Sequence, residues 1–147
     1  MEFLGTVSIL VNSSMVLLLI LIAVIDLKRR TINQRLLLLL LSGSMAAVYA
    51  SNEINFISSI TALMLIFLIL SFVYYISRKG LGWGDVKLCS CIAPYLGIEK
   101  AFAMLFISML LCGVAAIILI VVNKANRHYE VPFAPFAAIG TIAVLLM

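Results

Sequence analysis

From Phe3 to Ile25 the chain runs without a single charged side chain, and stretches of the same kind recur to its end. At 1.5 Å per residue this first run reaches roughly 34 Å as a helix, enough to cross the hydrocarbon core of a bilayer. Five further apolar stretches follow, over Leu36–Ala50, Ile54–Ile76, Val86–Ile98, Ala101–Val122 and Pro132–Met147. The whole chain is 65% hydrophobic and 11% charged, and 147 residues cannot enclose that much apolar surface in one aqueous core. Intrinsic disorder is excluded by the same composition. The expected fold is therefore an all-α polytopic membrane protein, a single domain over residues 1–147, with about six transmembrane helices. The fourth is short and carries Pro94, so it is expected to be kinked or partly re-entrant.

The first run lacks a basic leader and is preceded by Glu2, so it reads as a retained span rather than a cleaved signal. The basic residues set the orientation. With loops counted alternately, Lys28, Arg29, Arg30, Arg35, Arg78, Lys79, Lys87, Lys124 and Arg127 fall on one side, nine of the ten in the chain. Only Lys100 falls on the other. The positive-inside rule places the nine in the cytoplasm and both termini outside. The net charge of +4 does not suggest a nucleic-acid partner, because no basic run is interleaved with aromatic residues. The basic loops are expected to meet anionic lipid headgroups.

Cys89, Cys91 and Cys112 lie in apolar stretches without a Cys-x-x-Cys pair, and are read as packing residues. No metal site and no cofactor is expected. The lone histidine, His128, sits in a loop and reads as solvated.

Charge is scarce enough for the six acids to be taken singly. Glu2, Glu53 and Glu99 flank outer ends of spans, and Glu130 lies in the last inner loop. Asp26 differs: it follows Ile25 with no polar spacer. Asp85 differs too, sitting between a polar break and the fourth apolar piece. By itself Asp85 could serve as a helix N-cap, and Asp26 as an interfacial acid among cations. The loop count delivers both to the cytoplasmic side on two different helices. Two such carboxylates suit acid–base hydrolysis of a peptide, one taking a proton from water while the other polarises the carbonyl. Gly80, Gly82 and Gly84 alternate before Asp85 and permit close backbone approach, giving room for an extended substrate.

Gly82-Trp83-Gly84-Asp85 fits the Gly-x-Gly-Asp motif of intramembrane aspartyl proteases. The longer run Gly82-Trp83-Gly84-Asp85-Val86-Lys87-Leu88 resembles the form found in bacterial type IV prepilin peptidases. Asp26, followed by basic residues and Thr31-Ile32-Asn33, is similar to the family's first-aspartate region, an Asp and basic residues followed by Ile-Pro-Asn, with the proline missing here. Val131-Pro132-Phe133-Ala134-Pro135-Phe136 is similar to the Pro-Phe-x-Pro-Phe segment that opens the family's last span. The resemblance implies that Asp26 and Asp85 are catalytic, that Gly82 and Gly84 line the scissile segment, and that Asn33 and Lys87 are candidate supporting residues. It implies cleavage of the short basic leader from prepilins or pseudopilins at the cytoplasmic face of a prokaryotic inner membrane. Longer members carry an insert with paired Cys-x-x-Cys motifs and methylate the new N-terminus; without that pattern, peptidase activity alone is expected. Two other readings use the same residues: a proton-coupled transporter with the acids as a relay, and a non-enzymatic subunit of a secretion or pilus assembly.

Overall fold

A computed structural model describes residues 2–29, 33–50, 55–77, 81–122 and 131–147, with side chains from residue 10 onward and excepting Ala50. All its regular structure is helical: α1 (Glu2–Arg29), α2 (Gln34–Ala50), α3 (Phe56–Ile76), α4 (Trp83–Val121) and α5 (Ala134–Leu146). Helices are what such a chain must form. In hydrocarbon no water is present to satisfy backbone N–H and C=O groups, and a helix satisfies them within itself. Three helices, α1 over Leu10–Arg29, α3 and α4, are long and apolar enough to cross a membrane. The shorter α2 and α5 are apolar too.

The surface is the reverse of a soluble protein's. Leu17, Leu38, Leu68, Phe72, Phe106 and Ile117 all point outward and are exposed. An apolar surface this continuous needs lipid around it. The interior is picked out by narrow stripes. On α1 the buried positions are Met15, Leu19, Ile22, Ala23 and Asp26, spaced as one face of a helix. On α3 they are Ser59, Ala62, Ile66 and Leu70.

The first part of α4 is different, because residues 92–97 are buried without interruption. A helix buried all round lies at the centre of its bundle, and α2, α3 and α5 all pack against α4. At Gly97 the backbone leaves the helix, with φ 74° and ψ 174°. That region is open essentially to glycine alone. It is a reversal rather than a bend. Asp85 lies within electrostatic reach of Cys112, whereas on an unbroken helix the two would stand about 40 Å apart. The polar loop expected between the fourth and fifth apolar stretches is therefore replaced by one residue. Glu99 and Lys100 are exposed helical residues just beyond it. The kink expected from Pro94 is located at Gly97 instead, and Pro94 lies within the helix, fully buried.

Candidate active site

Asp26 occupies the last turn of α1, ahead of exposed Lys28 and Arg29. It is only 5% exposed because it continues the stripe that faces the core. Its Oδ2 accepts the backbone N–H of Ala134 at 3.2 Å, a contact across 108 positions of sequence. Ala134 is the first residue of α5, with Phe133 at the N-cap and Pro135 next. The Pro-Phe-Ala-Pro segment singled out in the sequence thus closes over Asp26.

Asp85 lies in the first turn of α4, half-buried. The N-cap expected of it is instead Gly82, in an extended conformation (φ −67°, ψ 132°). The Gly82 carbonyl accepts the N–H groups of Asp85 (3.0 Å) and Val86 (3.3 Å). A cap side chain there would displace the Asp85 carboxylate. A Cβ on Gly82 would stand 2.7 Å from Asp85 Oδ2, so the carboxylate occupies the room that glycine leaves. Beside this turn, Trp83 packs on Tyr74 (ring centroids 5.0 Å) and Phe67 (6.1 Å) of α3. This aromatic anchor for the start of α4 was not foreseen from sequence. Phe67 and Tyr74 lie two turns apart on one face of α3, and that spacing was the available signal.

The two acids sit at the same end of the bundle. The Tyr95 hydroxyl donates to Asn12 Oδ1 at 2.8 Å, tying α4 to α1. From that tie Asp26 lies about 21 Å along α1 and Asp85 about 15 Å back along α4. A second tie fixes the direction. Gly140 of α5 packs against Ser108 and the Met104 carbonyl, on the descending part of α4, and Ala134 is only about 9 Å along α5 from Gly140. Asp26 is thus drawn toward the level of Ser108, away from Gly97 and toward the end that holds Asp85.

The candidate supporting residues Asn33 and Lys87 stand at the starts of α2 and α4. Asn33 caps α2: its carbonyl accepts the N–H of Leu36 (3.1 Å) and Leu37 (3.3 Å), and its Oδ1 accepts that of Arg35 (3.1 Å). Lys87 is two residues past Asp85, which on a helix is about 200° round. It lines an apolar groove of about 360 Å³ with Gln34, Leu37, Leu41, Leu63 and Phe67. Gly84 is half-buried in the first turn of α4. Gly80, Arg30, Thr31, Ile32, Arg78, Lys79, Glu53, Lys124, Arg127, His128 and Glu130 lie outside the described residues, as does the side chain of Glu2. All three cysteines are free, with Cys89 buried. Among the described residues no three His, Cys, Asp or Glu side chains gather closely enough to hold a metal ion.

With this geometry in place, the sequence profile of the Type IV leader peptidase family matches residues 13–117. That interval contains both acids, all of α2 and α3, and the reversal at Gly97. The chain is 30% identical over 129 residues to a prepilin leader peptidase/N-methyltransferase of Bacillus subtilis (strain 168), covering 88% of this chain and 52% of that protein. It is 26% identical over 133 residues to the prepilin leader peptidase/N-methyltransferase of Aeromonas salmonicida (strain A449), covering 86% of this chain and 46% of the relative. The chain thus spans about half the length of the curated relatives it matches. No solved structure gives a significant match.

Proposed function

The chain belongs to the type IV leader peptidase family, and on that premise we propose that it is an intramembrane aspartic endopeptidase that removes the basic leader from prepilins or pseudopilins at the cytoplasmic face of the membrane. The observation that carries the reading is the pair of carboxylates on α1 and α4 at one end of the bundle, Asp26 buried and Asp85 half-buried. Few acids lie in this apolar chain, and an acid buried among membrane helices marks a functional site by default.

In the proposed reaction a water lies between the two carboxylates and the scissile carbonyl. One carboxylate takes a proton from the water, whose oxygen bonds to the carbonyl carbon. The other carboxylic acid gives its proton to the carbonyl oxygen, which becomes a hydroxyl. Collapse of this tetrahedral species breaks the C–N bond. The leaving amine takes the proton gained by the first carboxylate, and the hydroxyl returns its proton to the second. Both acids end as they began, and the titration belongs to the pair.

The proposal extends to six crossings, with the reversal at Gly97 dividing α4 into two. It puts both termini outside and the acids at the cytoplasmic side of an inner membrane. The distribution of cations supports this: Lys28, Arg29, Arg35 and Lys87 stand at the helix ends nearest the acids, and Lys100 stands beside Gly97 at the other. The leader's apolar neighbour would approach through the lipid. The proposal is confined to peptidase activity, because the paired Cys-x-x-Cys motifs that the resemblance associates with methylation are not found in these 147 residues. The test is co-expression with an epitope-tagged prepilin. Wild type is expected to shift the prepilin to its shorter form, and Asp26→Asn and Asp85→Asn are each expected to leave it unshifted. Mass spectrometry of the product is expected to find an unmethylated N-terminus.

A further inference from the structure

The opening turn of α5 offers one backbone donor, and that donor is spent on Asp26. A helix start ordinarily leaves several N–H groups without intrahelical partners. Here the second helical residue is Pro135, which has no N–H. Phe136 and Ala137 both donate to the Phe133 carbonyl, at 3.0 and 3.1 Å. Ala134 alone in this turn points its N–H elsewhere, to Asp26 Oδ2. No other donor among the described residues reaches the Asp26 carboxylate.

We propose that the Ala134 N–H is a positioning group for the reaction: it holds Oδ2 of Asp26 and leaves Oδ1 as the oxygen that exchanges a proton with water. The inference rests on the peptidase reading above. Three features support it as a built arrangement. Asp26 is a buried residue, so the protein around it sets its orientation. Phe133 and Ala134 are buried too, which fixes the donor. The height of α5 is set by Gly140, where a Cβ would collide with Ser108 Oγ and stand 3.0 Å from the Met104 carbonyl. The donor therefore comes from the far end of the chain but is registered against the same long helix that carries Asp85. Asp26 also stands in the last turn of α1, where the carbonyl ends of the helix disfavour negative charge. The N-terminus of α5 supplies the opposite polarity at that point.

The test removes the amide N–H and keeps every side chain, with the Phe133 carbonyl becoming a weaker acceptor for Phe136 and Ala137. Cell-free synthesis into lipid nanodiscs with Ala134→lactic acid exchanges the N–H for an ester oxygen and keeps the methyl side chain. Cleavage of a prepilin peptide is expected to show kcat reduced roughly 10- to 100-fold, the worth of one hydrogen bond to a charged group, with KM within about twofold. Wild type and Asp26→Asn run beside it. If Asp26→Asn cleaves at the wild-type rate, the peptidase reading itself falls. If Asp26→Asn is dead and the ester variant keeps the wild-type kcat, this inference alone is overturned. A measurement on the all-amide chain guards against misfolding of the ester: the Ala134 amide resonance of wild type is expected to move in Asp26→Ala. An unmoved resonance overturns the inference equally.

Discussion

Asp26 and Asp85 reach the same end of the bundle by opposite local routes. Asp85 opens a helix. It stands in the first turn of α4, where the exposed N–H groups welcome a negative charge, and its neighbour Gly82 gives it room. Asp26 closes a helix, in the least favourable turn for an anion, and its buried carboxylate depends on a donor from α5. Gly82, three positions away, gives Asp85 its room. Asp26 is supported across 108 positions. The difference predicts that local changes should disable Asp85, whereas Asp26 should be sensitive to changes in a helix that is remote in sequence.

The largest effect is expected from the acids themselves. Asp26→Asn and Asp85→Asn should each lower the cleavage rate by roughly 10²- to 10⁴-fold, the range for loss of a positioned acid or base. Both proteins should retain the helical circular dichroism of wild type. If only one mattered, the symmetry of the comparison would be broken.

The next effect sharpens the local half of the comparison. Gly82→Ala puts a methyl group 2.7 Å from Asp85 Oδ2, and the carboxylate must swing aside. A displacement of about 1 Å at a reacting group can cost on the order of 10²-fold, so kcat should fall by about that factor. Thermal stability should change little, because the end of a flexible side chain moves and the backbone does not. A large drop in melting temperature with kcat preserved would contradict the account of Gly82.

Gly97→Ala addresses the reversal that carries α4 back past Asp85. Alanine at φ 74° and ψ 174° should cost about 1–3 kcal/mol. The loss should appear as a lowered midpoint in denaturant, measured in mild detergent. The smallest effect belongs to Asn33→Ala, which removes the cap of α2. About 1 kcal/mol of stability is expected to be lost. If this variant instead lost cleavage as severely as the aspartate variants at full stability, Asn33 would belong with the acids and not with the helix end.

Legibility in the sequence follows the same division. Asp85 could be read because its support is contiguous: the alternating glycines and the acid lie side by side. Asp26 could be recognised as an acid without a polar spacer, but its burial could not. Every position from Met15 to Ile25 is apolar, so the stripe Met15, Leu19, Ile22, Asp26 has no contrast against the lipid-facing side. The Pro-Phe-Ala-Pro segment was visible as a motif. Its donor was not, since a backbone N–H carries no letter in the sequence. The membrane class and helical content were plain from the apolar runs. The sharp turn at Gly97 was hidden by Glu99 and Lys100, whose charges suggested a loop where a single glycine suffices. Asn33 shows the converse: a position matched by resemblance proves to be a helix cap, which its residue type alone would have suggested.

The central claim is that the two acids act as one unit despite their unlike supports. Its most direct measurement is single-turnover cleavage of a labelled prepilin by wild type, Asp26→Asn, Asp85→Asn and the double variant in nanodiscs. The account predicts that the double variant is no slower than the worse single variant, and that all three still bind the substrate. Two independent, multiplying losses, or a near-wild-type rate in either single variant, would contradict it.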